Sequence, residues 1–327
     1  MVSALVEVRD LVKHFPVRKS FLSSIIEKRD TAEVVHAVDG VSFSINRGET
    51  FSLVGETGSG KTTTGRLVLS LLKPTSGNIY FEGRDINALD SKELHELRRN
   101  MQMIFQDPLA SLNPRKRIGK IVTEPLEINR ILKDERSTAR SLLEMVELTP
   151  PQQFIDRFPH ELSGGQRQRV GIARAIALRP KLIVADEPVS SLDVSVRSDI
   201  LNRMQDLSKE FNLTYLMIAH DIAVVRYMSD WVAIMYLGKI MEMAPSEQLF
   251  ALPSHPYTKA LFAAVPIPDP TISREKIKLK GEMPNPINPP IGCRFHTRCP
   301  NKQDVCEQNE PEHVEVEKNH VVACHFV

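Results

Sequence analysis

The segment Gly55-Glu56-Thr57-Gly58-Ser59-Gly60-Lys61-Thr62 fits the G-x-x-x-x-G-K-[ST] pattern of a phosphate-binding loop. It follows an apolar run, Phe51 to Val54, that reads as a strand, and it precedes a helix expected to begin near Thr62. The spacing has a physical basis. Three glycines let the backbone wrap tightly, so that successive N–H groups and the helix N-terminus face one anion. Lys61 then reaches the β- and γ-phosphates, and Thr62 offers a hydroxyl to Mg²⁺, a cation that takes oxygen ligands. With Thr63 as its last member, the loop implies a nucleoside triphosphate as ligand.

A second motif lies roughly a hundred residues downstream: Leu162-Ser163-Gly164-Gly165-Gln166, then Arg167-Gln168-Arg169 and a run with helical character from Val170 to Leu178. Leu182-Ile183-Val184-Ala185-Asp186-Glu187 follows. Four apolar residues ending in two carboxylates read as a buried parallel strand delivering acids to the carboxyl edge of a sheet, where ligands bind in open α/β folds. In that position Asp186 would hold Mg²⁺, and Glu187 would orient or deprotonate a water.

These motifs, in this order, resemble the ATP-binding cassette (ABC) family. Ser190-Ser191-Leu192-Asp193 is similar to the family's D-loop, with Asp193 its acid. His220, after the apolar strand Thr214 to Ala219, stands where its switch histidine stands. Gln106, after Met103-Ile104-Phe105, matches the Q-loop glutamine, a further group at Mg²⁺. Phe15, in Leu11-Val12-Lys13-His14-Phe15, takes the place of the aromatic that stacks on adenine. The resemblance implies an α/β fold: a P-loop ABC ATPase core with an antiparallel β subdomain, a helical subdomain at about 107–178, and a small metal-bound C-terminal extension. It implies Glu187, His220 and Lys61 as catalytic groups, and Thr62, Gln106 and Asp186 as Mg²⁺ ligands. Phe15 and the loop residues Gly55, Glu56, Thr57, Gly58, Ser59, Gly60, Lys61, Thr62 and Thr63 would contact ATP. The chain shows no internal repeat, so it carries one cassette. In the family, two cassettes pair head to tail, and Ser163, Gly164, Gly165 and Gln166 act on the nucleotide held by the partner.

Charge excludes one class of main ligand. Lys and Arg number 42 against 41 Asp and Glu in 327 residues, without the basic excess usual for nucleic-acid binding. No stretch approaches the roughly eighteen apolar residues of a membrane span, and Met1-Val2-Ser3-Ala4-Leu5-Val6-Glu7 has neither a basic nor an apolar leader region. We therefore expect a cytoplasmic chain whose membrane role comes through partners. Short strands are expected at Val6–Val8, Val41–Ile45, Phe51–Val54 and Asn78–Phe81, and a helix at Ala139–Leu148 closed by Pro150-Pro151. Residues 1–250 form the expected nucleotide-binding domain, and residues 251–327 a C-terminal extension.

That extension narrows the resemblance. His255-Pro256-Tyr257-Thr258-Lys259-Ala260-Leu261, the prolines Pro266, Pro268, Pro270, Pro284, Pro286, Pro289 and Pro290, and Gly292-Cys293-Arg294-Phe295-His296-Thr297-Arg298-Cys299-Pro300 are similar to the tail of di- and oligopeptide importer ATPases, above all the F-type subunit. All four cysteines lie here, Cys293, Cys299, Cys306 and Cys324, separated by 5, 6 and 17 residues. That spacing matches neither common zinc modules nor ferredoxin runs, and four thiolates suit zinc or a 4Fe-4S cluster. The resemblance implies the iron-sulfur cluster, with Zn²⁺ as the alternative. His296, His313, His320 and His325 read as solvated tail residues and are not assigned as ligands. The tail itself reads as too polar for a core of its own, so that a cross-linking metal would supply its folding energy. Every residue expected at the phosphates precedes Asp221, so the tail is expected to be dispensable for hydrolysis.

Taken together, the resemblance implies an ATPase subunit energising import of di- and oligopeptides at the cytoplasmic face of a bacterial membrane. Its implied partners are two transmembrane permease subunits, a sibling ATPase or a second copy of itself, and, indirectly, an extracytoplasmic peptide-binding protein. The alternatives are an importer of nickel or another small solute, and a soluble cassette protein of repair or translation.

Overall fold

The computed structural model describes residues 4–17, 33–264, 279 and 281–327. Pro266, Pro268 and Pro270 lie outside the described residues, as do Met1, Val2 and Ser3. In chain order the strands are β1 (Val6–Pro16), β2 (Val34–Ile45), β3 (Thr50–Val54), β4 (Ser76–Phe81), β5 (Arg84–Asp85) and β6 (Met101–Ile104). They continue with β7 (Leu182–Asp186), β8 (Thr214–Ala219), β9 (Trp231–Tyr236), β10 (Lys239–Pro245), β11 (His313–Glu317) and β12 (His320–Ala323). Two compact units result: one gathers Ile45–Thr50 and Ala88–Ile218, the other Ser3–Ser44, Phe51–Asn87 and Ala219–Val327.

The second of these units carries the phosphate loop. One sheet runs in the order β2-β1-β4-β5, with β1 antiparallel to β4 and β4 to β5. Strands β1 and β2 are both longer than their apolar runs suggest. A bulge between Arg9 and Val12 lets β1 bend and continue, with Asp10 at φ 44°. The Asp10 N–H donates to Ser42 Oγ at 2.8 Å, and Gly77 passes so close that a Cβ there would sit 2.3 Å from the Asp10 carbonyl oxygen.

In the same unit a second run of strands has the order β11-β12-β10-β9-β3. Strand β3 pairs parallel with β9, from Phe51 opposite Trp231 to Val54 opposite Ile234, and both are almost wholly buried. This is the near-continuous apolar composition a strand covered on both faces needs. The tail enters this sheet as a structural strand: β12 pairs antiparallel with β10, Glu242 opposite Val322. A buried polar knot secures the join. Glu242, fully buried on β10, accepts from the Ser254 and His255 N–H groups at 2.7 and 2.9 Å and pairs with His320 Nε2 at 2.7 Å. The tail thus has packed contents that its composition does not advertise. Phe295, Val322 and Ala323 are buried, and His320, expected to be solvated, is 1% exposed.

The other unit contains three parallel strands, β6 beside β7 and β7 beside β8, and most of the helices. Asp134 caps a helix at Glu135–Met145, four residues earlier than the apolar spacing suggests. Helix Ile118–Ile128 packs closely through Gly119, where a Cβ would lie 2.9 Å from Ile155 Cγ2. The run expected at Val170–Leu178 falls in a helix spanning Gly164–Ile176, which starts earlier and ends two residues sooner. Ser163 is its N-cap, and Gln166 completes the capping box, so the glycine motif is itself the helix start.

Replacing Glu242 with alanine strands a buried histidine and two N–H donors. We expect the unfolding free energy to fall by about 3–5 kcal/mol. Urea unfolding followed by the fluorescence of Trp231, the single tryptophan, on the neighbouring strand β9, reads it; a loss below about 1 kcal/mol would show that the knot does not hold the tail.

Candidate functional site

Strand β3 ends at Val54, and the loop turns into an eight-residue helix, Lys61–Val68, with Gly60 as its left-handed N-cap at φ 105°. Two glycines are required by close approach. A Cβ at Gly60 would stand 2.2 Å from the Ala37 carbonyl oxygen, and one at Gly55 would stand 2.2 Å from that of Met235. Gly58, at φ 85°, is required by conformation alone, since no atom crowds it. Lys61 is 5% exposed, and its ammonium donates to the Gly55 and Glu56 carbonyls at 2.8 Å each and to Ser59 Oγ at 3.3 Å. The cation that would meet phosphate therefore braces the loop that carries it. Thr57 is exposed, while Thr62 and Thr63 are half-buried on the first turn of the helix.

Glu56 has partners that spacing in the sequence does not suggest. Its N–H donates to the Tyr257 hydroxyl at 3.1 Å, and its carboxylate receives Arg298 Nη1 at 2.9 and 3.1 Å. Both partners come from beyond residue 250. The tail, expected to be dispensable for hydrolysis, thus touches the phosphate loop. Nor is this docking confined to the loop: Arg294 pairs with Asp39, which His14 Nε2 also contacts at 3.1 Å. Phe15, beside His14 on β1, is half-buried, with Lys13 Nζ 5.0 Å from its ring centre. His220 is exposed just after β8.

The acids belong to the other unit. Asp186, the last residue of β7, is 4% exposed, and Glu187 follows it at φ 46°. A left-handed conformation in a non-glycine residue costs energy and marks sites where a side chain is aimed. The Glu187 N–H donates to the Ile218 carbonyl at 2.8 Å, which fixes the turn, and its carboxylate receives the Gln106 amide at 2.7 Å. Gln106, expected at Mg²⁺, thus also touches the candidate base. Ser163 and Gly164 are exposed, and Gly165 is pressed against the next helix, where a Cβ would lie 2.5 Å from Val196 Cγ1. Arg197 holds the loop before Asp193 by donating to the Leu192 and Ser190 carbonyls, and Asp193 itself is exposed.

All four cysteines line one cavity of about 70 Å³, together with His296 and His325. All are free thiols, Cys293 and Cys306 buried. Burial pushes the Cys293 thiol up to about 11, with the neighbouring thiols adding to the shift, and the same burial raises Cys299 and Cys324. Such thiols ionise at neutral pH only when a cation takes the thiolate.

The ABC transporter family model matches residues 38–190, and a model described as the oligopeptide/dipeptide transporter C-terminal region matches residues 241–306. The oligopeptide transport ATP-binding protein AppF of Bacillus subtilis is 49% identical over 98% of this chain and 97% of its own. The chain belongs to the ABC transporter ATPases, in the oligopeptide/dipeptide branch. Among solved ABC structures, it resembles a dimeric ATP-binding cassette in a post-hydrolysis state bound to ADP and Pi, with a TM-score of 0.63, 29% identity, and 74% and 98% of the two chains covered. A component of a Clostridium perfringens ABC transporter complex also superimposes with a TM-score of 0.63, at 27% identity over 76% and 91%. No helix among the described residues is long and apolar enough to cross a membrane.

For an ABC ATPase the loop backbone is the feature least able to yield. Replacing Gly60 with alanine forces a carbonyl contact that only a backbone shift relieves. A misplacement of about 1 Å at such a site costs on the order of a hundredfold in rate, so ATP hydrolysis should fall at least roughly a hundredfold. Steady-state phosphate release measures this; a rate within about threefold of the natural chain would contradict the loop geometry.

Proposed function

We propose that this chain is the ATP-binding and hydrolysing subunit that energises import of di- and oligopeptides. The observation that carries the reading is the pairing of the two family matches, cassette and oligopeptide/dipeptide tail, along one chain aligned over 98% of its length. Nickel import and repair or translation roles have no comparable support. In this reading residues 1–250 are the nucleotide-binding domain, with a helical subdomain at about 107–178, and residues 251–327 the extension.

The chemistry follows from charge. Phosphoryl transfer needs positioning and neutralisation of developing negative charge rather than covalent help. The loop N–H groups from Gly55 to Thr63 and the Lys61 ammonium cradle the phosphates, and Phe15 supports the adenine. Lys61 would give up its loop carbonyls for phosphate oxygens, exchanging neutral acceptors for charged ones. Glu187 positions the attacking water and accepts its proton, Gln106 keeps that carboxylate oriented, and His220 stabilises the transferred group. Thr62, Gln106 and Asp186 would supply oxygen donors to Mg²⁺, and the chemistry it would bring is charge neutralisation at the phosphates. Ser163, Gly164, Gly165 and Gln166, with Asp193, act on the nucleotide of a second cassette, either a sibling or another copy, in a head-to-tail pair. Exposure of Ser163, Gly164 and Asp193 is consistent with that role. The pair works on two permease subunits at the cytoplasmic face of the membrane, with a peptide-binding protein outside and no nucleic acid.

The cysteine cavity we read as a 4Fe-4S site held by Cys293, Cys299, Cys306 and Cys324. Among the described residues no three of these sulfurs come within 4.8 Å of one another. Neither spacing nor burial names the metal: four thiolates suit a 4Fe-4S cluster or zinc, and the likeness of the tail to peptide importer ATPases favours the cluster. Held there, the cysteines would be cross-linked through the cluster, which would stabilise the segments that carry them.

Two outcomes test these assignments. Glu187→Gln should cut steady-state ATP hydrolysis by 10²- to 10⁴-fold while nucleotide affinity is kept, as removal of a general base does; activity within about tenfold of the natural chain would remove Glu187 from that role. Anaerobically purified protein should carry about four iron and four sulfide per chain, and Cys299→Ser should lose them. Because β12 is paired to β10, we expect that variant to loosen residues 293–301 while the β11–β12 hairpin stays protected from hydrogen exchange. Stoichiometric zinc without iron would replace the cluster by the alternative metal.

A further inference from the structure

We propose that Arg298 is a positioning residue for ATP: gripping Glu56 from between two cysteines, it sets the phosphate loop and thereby the affinity for the triphosphate. The proposal rests on the reading of Gly55–Thr62 as the ATP site and goes beyond it, since no loop motif includes Arg298.

Three contacts converge on the one residue. The Glu56 N–H is held by the Tyr257 hydroxyl, its carbonyl by Lys61 Nζ, and both its carboxylate oxygens by Arg298 Nη1. The Glu56 peptide therefore cannot turn without disturbing Lys61. The two tail partners are themselves rigid. Tyr257 is fully buried, with ring centres 4.8 Å from Tyr236 and 5.2 Å from the buried Phe295. The Arg298 side chain is 8% exposed and stands 5.9 Å from the Tyr236 ring centre. Phe295 and Arg298 both lie between Cys293 and Cys299, so the fold of the cysteine lobe sets where the guanidinium points.

Charge gives this geometry a direction. Glu56 places a carboxylate in a loop that must receive a triphosphate, and two like charges at close range oppose binding. A charge-assisted pair with Arg298 cancels that repulsion and holds the side chain to one side. Without Arg298 the Glu56 carboxylate, whose side chain is 31% exposed, has lost the cation that offsets its repulsion of the triphosphate.

The test is ATPase kinetics in the full chain. Arg298→Ala should raise KM for ATP about tenfold with kcat within about threefold, the size of one charge-assisted hydrogen-bonded pair. Arg298→Lys, which keeps the charge, should recover most of that loss. Adding Glu56→Gln to Arg298→Ala should return KM to within about threefold of the natural value, because the unpaired charge is gone. Arg294→Ala is the control: it weakens tail docking at Asp39 without removing any contact to Glu56, and should leave KM within about twofold. Three results would each overturn the proposal: an unchanged KM in Arg298→Ala, an equal shift in Arg294→Ala, or additive losses in the double variant. Failure of the natural chain to bind ATP at all would instead overturn the reading of the loop.

Discussion

The backbone path from Gly55 to Lys61 is the constraint on which the rest of the structure depends. It passes so near two carbonyls, those of Met235 and Ala37, that no side chain fits at Gly55 or Gly60. Those carbonyls are in place only if β9 and β2 are. Strand β9 is fixed by its parallel pairing with β3 on one side and its antiparallel pairing with β10 on the other. A nucleotide site of this kind is therefore a property of both sheets, and the loop sequence is the part of it that shows.

Strand β10 carries that dependence into the tail. Its buried Glu242 is compensated by two N–H groups and by His320, which arrives on β12. A buried carboxylate without such partners would be costly, so the strand and the tail each require the other. The aromatic cluster of Tyr236, Tyr257 and Phe295 joins β9, the helix at Pro256–Ala263 and the cysteine lobe. From that cluster Tyr257 and Arg298 reach Glu56. The extension is thus part of the unit that builds the phosphate loop, and Arg298, between Cys293 and Cys299, ties the cysteine lobe to it through the ion pair with Glu56.

Much of this was legible in the sequence where a motif and its local structure coincide. The phosphate loop, the strand ending in Asp186 and the strand Thr214–Ala219 fall where the residues placed them. Boundaries slipped where side chains, rather than periodicity, decide them. Asp134 and Ser163 start their helices earlier than the apolar spacing suggests, although Ser163 and Gln166 carry the capping signal openly. What could not be read is the pairing of residues far apart in the chain. Glu56 lies 242 positions from Arg298, and Glu242 lies 78 from His320, and no periodicity links such charges. The tail looked coreless because its core is borrowed: Phe295 and Val322 are buried against strands that belong to the cassette.

The central claim, that the cysteine-bearing tail and the phosphate loop form one mechanical element, is tested most directly by amide hydrogen exchange on the full chain with and without ATP. Local opening energies report which segments move together. The account predicts that on addition of Mg²⁺ and ATP the loop at Gly55–Lys61 and the segment Cys293–Cys299 gain protection together. Protection of the loop alone, with exchange across Cys293–Cys299 unchanged, would contradict it.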